Sequence, residues 1–311
     1  MRQRYLVIGG VLCACLALIG LAVSGRSDSA RTSPDRPLQT AIFDPNAFAT
    51  PDAATAFVHA RQTGSTVARL WLDWNVVAPS SPLPSSNPSS PMNPRYKWGP
   101  IDAQVKLAVR AGLQPILSVV NPPAWARKPG ADGSKALPEF RDPAGDYGTF
   151  VRAAARRYSG TFRGLPRVRY WQVLNEPNLS YYLVPQYVDN SPASPAIYRD
   201  LVNAAAEAVH AVHGDNVVIA GGMSPFSQGD PDTDPAKNAV AMAPPAFMRG
   251  VLCMSADPNP KPTCNDTVTF DAWSTHPYTH GWALRQGRQE GQRLAGRSPR
   301  KAPGPFRSRR R

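Results

Sequence analysis

Cysteine and glutamate are both scarce in this chain. The first scarcity excludes a disulfide-based fold, and the second limits the candidates for a catalytic carboxylate. Four cysteines occur among 311 residues, two in the first apolar run and two much later, so the sequence is not a disulfide framework. Cys253 and Cys264 bracket a loop rich in proline and aspartate, and outside the cell a disulfide between them would close it. No metal site is expected there, because the loop offers only two sulfurs and no nearby histidine.

Only four glutamates are present, which leaves few candidates for carboxylate chemistry. Three stand in unfavourable places: a loop (Glu139), a predicted helix (Glu207) and an arginine- and glutamine-rich tract (Glu290). Glu176 differs, because it follows a short apolar run at 168–174, as a residue at the carboxyl end of a buried parallel strand would. Barrel and doubly wound folds carry their chemistry at that edge.

Glu176 is therefore the principal candidate for a catalytic residue. The apolar strand behind it and the nearby Trp171, Tyr181 and Tyr182 are expected to desolvate its carboxyl, raise its pKa and keep it protonated as a general acid. Asn175 offers an amide for a substrate hydroxyl. The alternative is an ordinary glutamate beside a turn proline, because an isolated Asn-Glu-Pro is weak evidence.

Strand-like and helix-like segments alternate along the chain. Apolar strand candidates cover 38–43, 66–74, 113–120, 168–174, 217–220 and 270–278. Helical patterns lie between them; in one, Val105, Ala108 and Val109 form the predicted inward face. This alternation predicts an α/β protein with a parallel (β/α)8 TIM barrel over 38–281, in which about six β/α units are recognisable and the last two are missing.

The segment Trp-Gln-Val-Leu-Asn-Glu-Pro-Asn, residues 171–178, resembles the fourth-strand signature of the retaining glycoside hydrolases of clan A, especially families thirty-nine and five. The resemblance extends over 38–281 as a series of strand ends. It implies that Glu176 is the acid/base catalyst and that Asn175 binds the sugar 2-hydroxyl.

Other residues match the resemblance strand by strand. Arg69 lies within the second predicted strand, where an isolated arginine is costly unless a carboxylate faces it. The resemblance implies that it holds the nucleophilic carboxylate; the alternative is an arginine reaching solvent from an edge strand. His276 and Tyr278 resemble the strand-six pair, in which the tyrosine binds the nucleophile and the histidine lines the sugar site.

Aromatic residues near the strand ends are candidates for sugar contacts. Trp74 and Asn75, after the second strand, would supply a platform and a hydrogen bond, and Trp125 resembles the sugar-facing aromatic after the third strand. A tyrosine-rich loop after Asn178 offers further rings. Core packing is the alternative for Trp74, and an ordinary surface loop is the alternative for the tyrosines.

The N-terminus predicts export. Two arginines in the first four residues precede an uncharged apolar run at 5–23, as in a signal peptide. The run is also near the roughly 20 residues that span a bilayer, so residues 1–23 are either a cleaved signal or a membrane anchor. Residues 24–37 read as a disordered linker. We therefore expect a secreted or cell-surface anchored protein.

Residues 282–311 depart from the barrel pattern. They contain ten arginines or lysines and one acidic residue, so this tail contributes +9 (10 − 1) of the formal +13. One explanation is a basic arm for nucleic acid or anionic membrane. The explanation that we favour is a shift of the coding frame near Gly281, because an exported glycosidase has little use for such an arm. No nucleic-acid partner is therefore expected.

The missing strands determine the expected function. In a retaining mechanism the seventh strand would carry a nucleophile about 5 Å from the acid, and no glutamate here is a credible candidate. We expect an exported glycoside hydrolase for a β-linked glycoside or polysaccharide, acting by retaining double displacement without a cofactor, with this chain inactive for lack of the nucleophile. The alternative is a non-catalytic cell-surface carbohydrate-binding pseudoenzyme.

The frame-shift explanation makes a direct prediction about the source DNA. Sequencing across codon 281 and translating all three forward frames is expected to reveal, in another frame, an apolar strand that ends in glutamate. If every frame stops without such a strand, the truncation is genuine, and the chain is a binding protein or a degenerate enzyme.

Overall fold

The computed structural model describes residues 38–82, 87–128, 140–225 and 241–278. The predicted export segment 1–23, the linker 24–37, the basic tail 282–311, Glu139 and Glu290 all lie outside the described residues. Within the described ranges no helix is long and apolar enough to cross a membrane.

Six parallel strands form one sheet whose order follows the chain. The strands are β1 (Ala41–Ile42), β2 (Val67–Asp73), β3 (Gln114–Val120), β4 (Tyr170–Val173), β5 (Val217–Met223) and β6 (Ala272–Thr275). Each strand pairs with the strands before and after it in the chain. Arg69, for example, lies opposite Ile116, and Gln172 lies opposite Ile219. This sequential parallel order is that of a TIM barrel, and it confirms the predicted fold class.

Helices connect the strands. They are α1 (Ala53–Gln62), α2 (Trp74–Val77), α3 (Gly99–Arg110), α4 (Gly148–Arg157), α5 (Ser194–His210) and α6 (Pro244–Val251). A π-helix (Pro143–Tyr147) precedes α4, and a small antiparallel hairpin (Tyr187–Val188 with Ser191–Pro192) precedes α5. The α3 connection shows why the helices cover the sheet: Ile101, Val105 and Ala108, at i, i+4 and i+7, are all buried.

The sheet is curled, with helices outside and polar side chains inside. Along β2, Ala68, Leu70 and Leu72 are buried, whereas the alternating Arg69 and Asp73 are partly exposed on the other face. On that second face, side chains from β4 and β6 bond to each other although β5 lies between them. In the described part of the chain, β1 and β6 remain the two edges, so the barrel is incomplete.

Three sequence-based details are corrected. In the first predicted strand, only Ala41 and Ile42 pair with β2. The sixth strand ends at Thr275, so His276 and Tyr278 follow the strand instead of lying on it. Val109 is 39% exposed, because its position is rotated about 100° from the buried Ala108.

Cys253 and Cys264 are joined by a disulfide, with their Cα atoms 5.3 Å apart. The bond closes the loop after α6, where Cys253 is buried. The pairing expected from the sequence is therefore present in the fold.

The end of β5 depends on two glycines. Gly221 and Gly222 have φ angles of +88° and +66°, and the pairing with β6 shifts register there. A Cβ on Gly221 would lie 2.4 Å from the Ser274 carbonyl oxygen. The absence of a side chain therefore lets β6 approach closely enough for its polar residues to reach β4.

We predict that Gly221→Ala destabilises the fold more than a matched glycine replacement elsewhere. Gly164→Ala is the control, because Gly164 also has a positive φ (+69°) but an added Cβ meets nothing within 4 Å. Both changes carry the left-handed strain of about 1–2 kcal/mol, and overpacking adds about 1–3 kcal/mol at Gly221 only. Urea unfolding of the full chain measures the difference. Equal losses would show that β6 does not press against Gly221.

Candidate active site

Glu176 lies at the carboxyl edge of the sheet, just beyond β4. Its Oε1 atom is 2.9 Å from Nδ1 of His276, the residue that directly follows β6. Both side chains are 14% exposed, so the pair is largely shielded from water yet still reachable. The structure thus brings two of the predicted site residues into direct contact.

The backbone around Glu176 adopts an unusual conformation. Leu174 and Glu176 have φ angles of 57° and 43°, in the left-handed region that residues with a Cβ rarely occupy. Such conformations cost about 1–3 kcal/mol each and cluster at functional sites. The turn is held in place because the Glu176 amide donates to the Gly222 carbonyl at 3.0 Å, and the buried Asn178 side chain bonds to the Ser224 backbone.

A row of hydrogen-bonded side chains, here called the polar row, crosses the concave face below Glu176. It consists of Arg69, Ser118, Gln172 and Ser274, one from each of β2, β3, β4 and β6. Arg69 Nε donates to Ser118 Oγ at 2.8 Å, Ser118 Oγ donates to Gln172 Oε1 at 2.7 Å, and Gln172 Nε2 donates to Ser274 Oγ at 3.2 Å.

Arg69 connects the polar row to the Asn-Glu-Pro motif. Its Nη2 donates to Asn175 Oδ1 at 2.8 Å, and Asn175 is 5% exposed. The amide oxygen is therefore occupied, and the amide nitrogen is the end that can address a substrate hydroxyl. Asn175 lies just beyond the end of β4, as the sequence predicts, and its side chain is held by the partly exposed Arg69.

The sequence predicted that a carboxylate faces Arg69, but the described residues give a different arrangement. The hydrogen bonds of Arg69 go to Ser118 and Asn175, which are both neutral. Its guanidinium carbon also lies 4.6 Å from the centre of the Phe43 ring. Burial lowers the pKa of Arg69, and nearby acidic groups, Glu176 among them, oppose that shift. Among the described residues Arg69 has no ion-pair partner.

Tyr182 and Tyr278 surround the Glu176 pair. The pKa of the Tyr182 hydroxyl is raised, first by burial and then by the charge of Glu176. The Tyr278 ring lies 5.7 Å from that of His276 and is 59% exposed. Tyr278 is thus beside the site, although its bond to a nucleophile stays a prediction.

Trp74 does not fit the predicted sugar platform. Its indole is 1% exposed, stacks on Phe150 at a centroid distance of 5.2 Å and meets Trp125 and Tyr147 edge-on. The platform prediction was wrong, because Trp74 begins α2 and its ring packs against the residues around α4. Core packing is its role.

Trp125 and Asn75 remain untested as sugar contacts. The Trp125 indole is partly exposed and its Nε1 donates to the Pro79 carbonyl at 2.9 Å. Asn75 is exposed on α2, and its backbone amide donates to Asn121 at 2.8 Å. In the described ranges no hydrogen bond or ring contact joins either residue to Glu176, so their proposed roles stay predictions.

Sequence reasoning missed the lower part of the polar row. Ser118 and Gln172 each interrupt an apolar strand at a position that alternation assigns to the concave face. Those two polar interruptions were the available signal. Trp171, which was expected beside Glu176, lies on the opposite face from Gln172 and is 1% exposed.

No protein-family model matches the chain, and no curated protein matches it. Among solved structures, a GH39 β-xylosidase from Caulobacter crescentus is similar with a TM-score of 0.47 and 16% identity over 84% of this chain and 50% of its own. A glucosidase from Croceicoccus marinus has a TM-score of 0.41 and 22% identity over 61% of this chain and 38% of its own. The GH39 enzyme from Xanthomonas axonopodis pv. citri has a TM-score of 0.43 and 18% identity over 60% of this chain and 35% of its own.

The chain therefore spans between about a third and a half of the length of these structures. The fold assignment rests on the strand order and register of the chain itself.

We predict that Glu176→Gln lowers the pKa of Tyr182. The carboxylate disfavours the tyrosinate form, so removing its charge should let the phenol ionise at lower pH. NMR titration of the full chain with 13C-labelled tyrosine measures this. Glu207→Gln is the control, because Glu207 is 76% exposed and pairs with Arg152 in the helical layer. An unchanged Tyr182 pKa in Glu176→Gln would contradict the contact.

Proposed function

We propose that the chain carries the acid/base half of a retaining glycosidase site for a β-linked glycoside or polysaccharide. The observation that supports it best is the Glu176–His276 pair at the carboxyl edge, where the backbone of Glu176 is strained. Asn175, held by Arg69, would bind the sugar beside the bond to be cleaved.

The Glu176–His276 contact suits proton transfer. In the tautomer with its proton on Nδ1, His276 donates a hydrogen bond to Glu176 Oε1 whether or not Glu176 is protonated, and Oε2 is left to carry the transferable proton. Glu176 can therefore give a proton to a leaving oxygen and take one back from water while the histidine keeps its carboxyl oriented.

The nucleophile is not among the described residues near this pair. Glu207, the other described glutamate, belongs to α5 and bonds to Arg152 at 2.6 Å. We therefore propose that the chain alone does not turn over glycosides, because the acid lacks its partner carboxylate.

A carbohydrate-binding pseudoenzyme is the second candidate. Tyr181 is 78% exposed and packs edge-on against Tyr182, which borders Glu176. An exposed ring beside the site offers a stacking surface that needs no catalysis. In both cases we propose export and carbohydrate as the partner, with the N-terminal segment as signal or anchor.

External azide distinguishes the two candidates. In a competent half-site, azide attacks the anomeric carbon of a phenyl β-glycoside, the bond from that carbon to the phenyl oxygen breaks, and Glu176 protonates the departing phenoxide to give phenol and a glycosyl azide. We expect no turnover without azide, glycosyl azide formation with it, and a loss of about a hundredfold in Glu176→Gln but not in Glu207→Gln.

Three other outcomes would contradict the proposed function in whole or in part. Sugar binding measured by calorimetry without any azide response would favour the pseudoenzyme. Turnover without azide that is lost in Glu176→Gln would overturn the proposed inactivity. A folded chain that neither binds nor reacts with β-linked sugars would overturn both.

A further inference from the structure

A cavity of about 380 Å³ lies at the amino edge of the sheet, between the starts of β3 and β4. We call it the arginine notch, since Arg167 and Arg169 form one wall and Gly112 and Gln114 form the other. It lies roughly 20 Å from Glu176, as the rise along β4 and the following turn requires. The notch is therefore separate from the candidate active site.

The notch exists because two strands diverge at their starts. Pairing between β3 and β4 begins only at Ile116 and Tyr170, so the residues before them move apart. Gly112, with φ +77°, turns the chain from α3 into β3. The exposed Val109 stands at the rim.

The arginines of the notch are held in position by the residues that directly precede β5. Asp215 Oδ1 accepts from Arg167 Nη2 at 2.6 Å, and the Asp215 carbonyl accepts from Arg169 Nε at 2.9 Å. Arg167 also donates to Asn216 at 2.8 Å. Both guanidinium groups are thus preorganised, and the bond from Arg167 lowers the pKa of Asp215.

Positive charge in the notch exceeds negative charge. Asp215 balances one of the two arginines, and the Nη atoms of Arg169 have no hydrogen-bond partner in the described ranges. Arg167 Nε is a buried donor that likewise finds no acceptor there. Arg61 lies close by, since a Cβ on Gly112 would be 3.6 Å from its Nε. The notch therefore suits an anionic group.

The remaining residues of the notch indicate which kind of ligand would bear the anionic group. The partly exposed Tyr170 ring, whose centre is 5.9 Å from the Arg169 guanidinium carbon, and the apolar Val109 and Pro115 give the notch an apolar surface beside the charges, and Gln114 adds an amide. The volume fits one pyranose ring with its substituents. A ring with apolar faces, hydroxyl groups and a carboxylate meets all of these features. A membrane surface fits less well, because the notch is concave.

We propose that the arginine notch binds an acidic sugar residue, such as a uronate, at a second site distinct from Glu176. The guanidinium groups of Arg167 and Arg169 bind the carboxylate, and Tyr170 packs against the ring. This inference goes beyond the proposed function and does not require the chain to be an active enzyme.

Calorimetry of the full chain with trigalacturonate tests the proposal, and the methyl-esterified trimer is the matched neutral ligand. We expect the ester to bind at least tenfold more weakly, Arg169→Ala to weaken trigalacturonate binding about tenfold, and added salt to weaken it further. Arg163→Ala is the control, because this exposed arginine belongs to the same loop but lies outside the notch. Glu176→Gln should leave the affinity unchanged, which separates this site from the active site.

Four results would overturn the proposal. They are equal affinity for the acid and its ester, equal loss in the Arg163 and Arg169 variants, loss in Glu176→Gln, and binding of inorganic phosphate or of anionic phosphatidylglycerol vesicles through Arg169 without trigalacturonate binding. Because Arg167→Ala also removes the bonds to Asp215 and Asn216, Arg169→Ala is the deciding variant, with circular dichroism as the check on its fold.

Discussion

Hydrogen bonds that cross the concave face of the sheet hold together the side chains around Glu176. Gln172 on β4 reaches Ser274 on β6, and Arg69 on β2 reaches Asn175 beyond β4, in each case passing over an intervening strand. These bonds require a curled sheet, and the glycines at the end of β5 permit the approach of β6. His276 meets Glu176 as a result, because both residues follow strands whose spacing is already set.

The features of this arrangement that are unfavourable in free energy lie close to Glu176. Burial disfavours the charge of Arg69, and the left-handed residues Leu174 and Glu176 strain the backbone. The neutral oxygens of Ser118 and Asn175 accept hydrogen bonds from Arg69 and so compensate the burial of its charge. The fixed turn around Asn178 maintains the left-handed backbone of Leu174 and Glu176. A fold that maintains both features holds a carboxyl group in one orientation, which is what proton transfer to a bound substrate requires.

Much of this organisation could be predicted from the sequence. Alternating apolar segments predicted the parallel sheet, and the abrupt change from Leu174 to Asn175 and Glu176 located its functional edge. Trp74 was misassigned because periodicity does not show whether an aromatic at a strand end belongs to the strand or to the helix that follows. The arginine notch was missed because Gly112 and Gln114 lie far in sequence from Arg167 and Arg169, and the two pairs meet only where β3 and β4 begin side by side in the sheet.

The sequential order of the sheet also has a consequence for how the protein is made. Each strand pairs with the strand that precedes it in the chain, so every β/α unit finds its partner already synthesised. Each pairing nevertheless joins strands separated by a whole connecting helix, as Arg69 and Ile116 are, so a long loop must close before each new strand docks. During synthesis the growing sheet therefore presents one new edge at a time, and strands are added in the order from β1 to β6.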